Sequence, residues 1–361
     1  MEISYTRKVR ETLIFHTSDL PLSESKQETL KAVTHILSKC REYKADLLTI
    51  GGDLFDSERD AGVLRPKLRR MFDGNPFEIV AIPGNHDMEA YSANLDFGPD
   101  LKIAITKPFE IYTYGGVSIV AVPYQDQPSD QLLLELENAA KDAQIRVLLI
   151  HCTLDIGFTD QDFGEETAKI YFPVTSETLS RLKYDYVLSG HFHTETRMKP
   201  LGGKRYFIYP GSSTSHTRKE IGKRRAVLID TDKREMTGIP LDTFYYDSIQ
   251  LYVKPGKEEE TLEALKDWIG LHSADTCELQ IAVNGFVKIP EPEFRKALES
   301  IGQGAEILHA YRNVERVLAH PLYGRFLEQL KASEEIKDKD KVESFVIDAV
   351  CRLLADRKLR E

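Results

Sequence analysis

Cysteine is scarce and scattered. Cys40, Cys152, Cys277 and Cys351 are the only four in 361 residues, and no two form a CxxC pair, so neither a cysteine zinc site nor a disulfide framework is suggested and reduced thiols in a cytosol fit best. Long apolar runs are missing as well. Stretches such as 147–150 fall far short of the ~20 residues a membrane span needs, and the opening MEISYTRKVRE has no signal-peptide hydrophobic region. The expectation is a cytoplasmic protein with no membrane association. Positive charge is in deficit: 48 Lys and Arg stand against 58 Asp and Glu, a net of −10, which at first sight argues against a polyanionic partner.

What is present is core material. Hydrophobic residues make up 41% of the chain, with 16 Phe and 16 Tyr, which excludes a disordered or collagen-like chain. At roughly 150 residues per domain the length predicts two domains. Short β-rich apolar runs (12–17, 46–50, 77–82, 117–122, 146–150, 184–188, 205–209, 225–229) alternate with helical stretches (25–43, 58–72, 130–141, 176–183). The first helix carries Leu30, Val33, Ile36 and Leu37 on one face. This predicts a layered α/β domain over residues 1–246. A β-α-β-α-β unit follows over 247–320, and 321–361 reads as a helical tail. The apolar stripe Phe345, Val346, Val350, Leu353 and Leu354 of that tail either docks on its own body or meets a partner.

Ligand-type residues recur where the strands end, which is where α/β proteins gather their binding loops. The first strand leads to Ser18-Asp19, the second to GGDLFD (51–56), the third to PGNHD (83–87), a later one to His151, and another to SGHFH (189–193). One such loop carries little information, since a lone histidine at a strand end is more often structural. Five in succession, carrying Asp19, Asp53, Asn85 and histidines 86, 151, 191 and 193, point to oxygen and imidazole ligands for divalent ions such as Mn, Fe or Zn.

These motifs resemble those of the calcineurin-like metallophosphoesterases, whose pattern is DxH, GDxxD, GNH(D/E), a lone H and GHxH. With YPGS at 209–212 added, the chain is similar to the SbcD-type DNA repair nucleases over residues 12–232. The resemblance implies a two-sheet αββα sandwich with a smaller α+β capping domain. It also implies two divalent metal ions, most readily Mn, about 3.5 to 4 Å apart. Asp53 would bridge them, Asp19 and His193 would hold the first, and Asn85, His151 and His191 the second. His86 would serve as acid or transition-state stabiliser at the leaving oxygen, and Asp56 would orient a ligand or position metal-bound groups. A metal-activated water would then hydrolyse a phosphodiester in DNA, as an exonuclease or endonuclease at DNA ends. The resemblance further implies a homodimer packed through Val63, Leu64, Leu68 and Met71, and an SbcC-type ATPase partner bound by the tail.

One position departs from the pattern. Where DxH has histidine, this chain has Pro21, so the first ion loses an imidazole. On an extended strand His16 points to the face opposite Asp19, which leaves water, Ser23 or Glu24 as substitutes. A weak or empty first site follows as an expectation, and with it a second one, a DNA-end-binding scaffold of reduced activity. Hydrolysis of a small phosphoester is the alternative enzyme reading. DNA is favoured by charge distribution: residues 197–225 hold nine basic residues against the single acid Glu220, a local net of +8. Arg218, Lys219, Lys223, Arg224 and Arg225 are the expected DNA contacts.

Overall fold

A computed structural model describes residues 12–91, 96–125, 127–155, 171–194 and 196–358, with only the backbone of 352–358. The chain divides into two compact units, one ending at Tyr246 and the other beginning with Asp247.

In the first unit the elements run β1 (Leu13–Thr17), α1 (Gln27–Glu42), β2 (Leu47–Ile50), α2 (Glu58–Phe72), β3 (Glu78–Ala81), β4 (Leu101–Ile103), β5 (Glu110–Tyr114) and β6 (Val117–Ala121). Then come α3 (Asp130–Asn138), β7 (Ile145–His151), the short pair β8 (Thr153–Leu154) and β9 (Pro173–Val174), α4 (Ser176–Leu182) and β10 (Tyr186–Gly190). The strands β11 (Arg197–Pro200), β12 (Tyr206–Tyr209), β13 (Arg225–Asp230) and β14 (Glu235–Pro240) complete it. Two six-stranded sheets result, ordered β14-β13-β1-β2-β3-β4 and β11-β12-β10-β7-β6-β5. β1 to β4 are parallel, as are β6, β7, β10 and β12.

Side-chain alternation along each strand explains the layering. Ile14, Leu47 and Val80 of the first sheet pack against Val147, Leu149 and Ile208 of the second. Their neighbours Phe15, Leu48 and Ile79 face the other way, onto Val33, Ile36 and Leu37 of α1 and Leu64 and Leu68 of α2. On the far side Leu148 and Val187 meet Leu132 and Leu136 of α3 and Leu179 and Leu182 of α4. The expected αββα sandwich is therefore the observed architecture. Both faces of the central strands are covered, which is why they read as unbroken apolar runs. The edge strands β4, β5, β11 and β14 were not foreseen; β5 alternates half-buried and exposed residues and carries no apolar run to announce it.

Leu64 and Leu68 are 5% and 0% exposed inside this core, with Met71 packed against it. That corrects their expected place between two copies: helix periodicity turns them onto the protomer's own sheet, and Val63 alone of the four is exposed.

The second unit holds the sheet β15 (Tyr245–Val253), β16 (Cys277–Val287) and β17 (Glu306–Asn313), with α5 (Glu258–Ile269) and α6 (Glu291–Ile301). Its core comprises Val253, Leu265, Ile281, Val283, Phe294 and Leu298. The helices α7 (Glu315–Leu318), α8 (Pro321–Ala332) and α9 (Lys339–Lys358) follow. Val317, Tyr323 and Ile347 close over Phe286, with Val350 against them. Part of the tail stripe thus docks within its own unit, while Phe345 is 74% exposed. The side chains of Leu353 and Leu354 lie outside the described residues. Among the described residues no helix is long and apolar enough to cross a membrane.

Candidate metal centre

The C-terminal ends of parallel strands from both sheets meet at one edge of the sandwich. β1 delivers Asp19, β2 Asp53 and β3 Asn85 from the first sheet; β7 delivers His151 and β10 delivers His191 and His193 from the second. Asp19, Asp53 and His151 each offer one ligand atom, and these atoms lie within 4.8 Å of one another. All three are buried. Asp19, Asp53 and His191 have φ of 52°, 49° and 91°, a region that non-glycine residues seldom occupy and that clusters at functional sites.

Close approach of backbone makes this possible. A Cβ on Gly84 would sit 2.0 Å from Asp53 Oδ1, and one on Gly52 (φ 107°) would sit 2.3 Å from His151 Nδ1. Only glycine lets the loops pack against these side chains.

Asp19 accepts hydrogen bonds from the His191 backbone N–H at 3.0 and 3.1 Å and from the Ser18 hydroxyl. His193 Nε2 lies 3.5 Å from Asp19 Oδ1. Burial opposes charge on Asp19, but the His193 imidazole outweighs it and holds the carboxyl below its usual range. Asp53 Oδ1 accepts from the His86 N–H at 3.0 Å. Its Oδ2 is buried, 3.3 Å from His151 Nε2, and accepts no hydrogen bond.

His151 shows what the cluster requires. Its Nδ1 donates to Gly51 O at 2.8 Å, while Nε2 faces Asn85 Oδ1 at 2.9 Å and Asp53 Oδ2. Burial disfavours a charged imidazole here, yet the charge of Asp53 and its contact with the ring raise the pKa to about 10. A carboxylate oxygen, an amide oxygen and an imidazole nitrogen thus converge on one point. A divalent cation satisfies the same three donors, and the orphaned Asp53 Oδ2 with them. The buried Asp19, Asp53 and His151 together fit a divalent metal ion.

His86 is exposed next to the cluster, its main chain tied to Asp53. Asp56, expected to orient a ligand, has an exposed side chain, and its backbone N–H bonds to Leu22 O at 3.2 Å. The bracing carboxylate is Asp87. Fully buried, it accepts from Gly84 N, Leu54 N, Phe55 N and the Tyr91 hydroxyl at 2.7 to 3.2 Å, clamping the PGNHD loop to the GDLFD loop. Burial and the nearby charge of Asp53 push its carboxyl up to about 6.

The end of β12 and the segment after it brace the cluster, partly through residues outside the quoted motifs. Tyr209 donates its hydroxyl to Cys152 O at 2.7 Å, and Ser212 N–H donates to His193 O at 3.1 Å. Glu220, the lone acid of the basic stretch, is fully buried; its Oε1 faces His193 Nδ1 at 3.5 Å, and its Oε2 accepts from Ser212 Oγ and from His216 N–H at 3.0 Å. Burial opposes its charge, but His193 prevails and holds it at about 2. A buried carboxylate behind an imidazole orients that imidazole.

Arg224 requires a correction. It is 4% exposed and donates to the carbonyls of His193, Thr194, Ile221 and Gly222, so its guanidinium braces the loop instead of facing solvent. Arg218, Lys219, Lys223 and Arg225 remain exposed. The substitutes considered for Pro21 are likewise engaged elsewhere: Ser23 Oγ donates to Asp60 Oδ1 at 3.1 Å, and the Glu24 N–H donates to the same atom while its side chain is exposed. His16 donates from Nε2 to Ser189 O at 3.3 Å and accepts from Thr49 Oγ1 at 3.0 Å; burial lowers its pKa to about 4, leaving a neutral, satisfied core histidine.

The chain is 35% identical over 68 residues to the DNA double-strand break repair protein Mre11 of Nanoarchaeum equitans, a match spanning 18% of this chain and only 19% of that relative's length. Among solved structures, TT1561 of Thermus thermophilus is 14% identical with a TM-score of 0.42, covering 64% of this chain and 99% of that one. A dimetal phosphatase from Danio rerio is 9% identical with a TM-score of 0.45, covering 63% and 98%. The sequence model described as Calcineurin-like phosphoesterase matches residues 12–195, which contain each strand-end ligand loop from Asp19 to His193. The chain therefore belongs to the calcineurin-like phosphoesterase family, whose fold implies divalent metal ions, and it carries a buried Asp19-Asp53-His151 cluster.

Proposed function

We propose that the protein is a metal-dependent phosphodiesterase that hydrolyses DNA, as an exonuclease or endonuclease at DNA ends in repair. The observation that carries the hydrolytic part is the buried convergence of Asp19, Asp53 and His151. In this reading Asp53 would serve both ions, Asp19 and His193 would hold one, and Asn85, His151 and His191 would hold the other. When bound, the ions, Mn being the choice for this donor set, supply Lewis-acid neutralisation of the phosphoryl group and a nucleophile at neutral pH. His86, exposed beside the cluster, donates a proton to the leaving oxygen. Asp87 keeps His86 and Asn85 in register with Asp53, and Glu220 holds the His193 ring.

DNA as substrate is supported by the exposed Arg218, Lys219, Lys223 and Arg225, which suit successive phosphates. Lys223 and Arg225 also line a cavity of about 470 Å³ with Thr194, Thr196, Gly211 and Ser212, directly after His193. The local likeness to the Mre11 protein supports the same class. A partner ATPase of the SbcC type meeting the exposed Phe345 face of α9, and a homodimer, belong to this reading. A second reading, hydrolysis of a small phosphoester, is favoured by the compact polar cavity of about 310 Å³ formed by Asn85, His86, Lys107, Tyr124 and Gln125.

Incubation with Mn and three substrates separates the readings: single-stranded DNA, duplex DNA with ends, and an aryl phosphodiester. DNA degradation that disappears in Asp53→Ala and His86→Ala supports the proposal. Hydrolysis of the small ester alone selects the second reading, and salt-sensitive DNA binding without hydrolysis selects a scaffold.

A further inference from the structure

The two halves of the cluster look unequal if only the strand-end motifs are counted. Beside Asp53 stand Asn85, His151 and His191; beside Asp19 stands His193, and the position two residues after Asp19 is Pro21, which has no donor side chain. The folded chain fills that gap from a distance of 197 residues. His216 Nε2 lies 3.5 Å from the backbone oxygen of Asp19, and its ring meets that of His193 edge-on, with centroids 5.9 Å apart at 69°.

The position is built. Glu220 faces His193 Nδ1 with one oxygen and accepts the His216 backbone N–H with the other, so a single buried carboxylate faces the His193 imidazole and anchors the main chain that carries His216. Ser215, immediately before, is anchored by its N–H to Phe244 O and by its hydroxyl to Glu220 O at 2.7 Å. Ser212 pairs with Ser18, the residue preceding Asp19. The segment carrying His216 is thereby held against the segment carrying Asp19 at both ends. The Asp19 carbonyl contact is at the outer limit of a hydrogen bond, so the imidazole is not committed to it.

We propose that His216 is a ligand of the divalent ion on the Asp19–His193 side, supplying the imidazole that the Asp19-Leu20-Pro21 sequence does not. This rests on the reading of that side as a metal position. It replaces the expectation of a weak or empty first site with a complete one: two carboxylates, Asp19 and Asp53, and two imidazoles, His193 and His216, a donor set matched to Mn or a similar ion.

The test is metal stoichiometry. Purified full-length chain stripped with chelator is titrated with Mn and the bound equivalents counted by elemental analysis and calorimetry, alongside His216→Ala. The expected result is two equivalents in the unmodified chain and, in His216→Ala, loss of one equivalent or its weakening by at least tenfold while the other is unchanged. Two equivalents at unchanged affinity in the variant overturns the inference and leaves the metal reading standing. Absence of any bound Mn in the unmodified chain sinks the metal reading and this inference together. Anomalous diffraction from Mn-soaked crystals of the unmodified chain gives a readout independent of variant folding: an ion within bonding distance of a His216 nitrogen supports the assignment, and an ion on Asp19 and His193 with His216 turned away refutes it.

Discussion

A buried polar side chain is worth what its partners make of it, and Asp87, His16 and Arg224 illustrate three outcomes. Asp87 satisfies four donors from two loops. Truncation to alanine strands those donors, so Asp87→Ala is expected to cost on the order of 2–4 kcal/mol, read as a lower urea midpoint, and to weaken Mn binding because Asn85 loses its register. His16 is buried in the neutral form with a pKa near 4, against about 6.5 when unfolded. The unfolded chain therefore binds more protons between those values. The contribution is present in full above pH 6.5 and disappears as pH falls from 6.5 to 4, up to about 3 kcal/mol. Denaturation in chelator at pH 7 and pH 5 checks it: His16→Gln should show a shallower loss of stability over that interval, and an equal loss would contradict it. Arg224→Ala removes donors from the His193 and Thr194 carbonyls, with an expected cost of about 2–4 kcal/mol. Lys219→Ala and Lys223→Ala should leave the melting temperature within a degree or two, because exposed side chains seldom matter to stability.

At the scale of the element, strands and loops divide the labour. The central strands are stiff and covered on both faces, and the loops after β2 and β3 are short and glycine-bearing, so Asp53 and Asn85 are delivered at the strand tips. Gly84 is where this is tightest. With 2.0 Å from a new Cβ to Asp53 Oδ1 and 2.6 Å to Asp53 N, Gly84→Ala must displace the PGNHD loop. Mn affinity should fall at least tenfold while far-ultraviolet circular dichroism stays unchanged, because the strands do not depend on that loop. The basic stretch 197–225, running from β11 to the start of β13, behaves differently. Its basic residues read as one patch in the sequence, but folding turns Arg224 inward and stacks Arg197 4.3 Å over the Phe192 ring, and Lys199 pairs with Asp155. Neutralising Arg218, Lys219, Lys223 and Arg225 together should weaken DNA binding and reduce its dependence on salt, measured by fluorescence anisotropy at 50 and 200 mM salt. Binding that is unchanged in both respects would remove the electrostatic support for DNA.

For the whole molecule, the metal centre is also a seam between the sheets. Asp19 and Asp53 come from one sheet, His151 and His193 from the other, so ions bound among them tie the two layers of the sandwich together. A ligand that binds only the folded state stabilises by RT ln(1 + [L]/Kd), about 2.7 kcal/mol at a hundredfold excess over Kd. Mn should therefore raise the melting temperature of the chelator-stripped protein by several degrees, and should fail to do so in Asp53→Ala. A net charge of −10 describes the chain poorly as a partner for anions, because carboxylates such as Asp19, Asp53 and Glu220 are buried among imidazoles, whereas Lys219 and Lys223 stand at the surface.

Local information sufficed for the layered α/β class and for the loops that converge, since both follow from short-range periodicity: an apolar run covered on two faces, then a glycine turn, then a polar side chain. The same periodicity placed His16 away from Asp19 and put Leu64 and Leu68 on one helical face, without saying which neighbour that face would meet. Only the tertiary structure decided the matters that depend on chain segments far apart. Glu220 and Arg224 look like ordinary surface charges in sequence and become buried braces because the loop after β12 folds back on His193. Asp87 rather than Asp56 became the clamp because its carboxylate reaches four donors on two loops at once. His216, 197 residues from Asp19, carries no local mark at all; its place beside His193 follows from the pairing of Ser212 with Ser18 and the carboxylate of Glu220, contacts that exist only when both sheets have closed on each other.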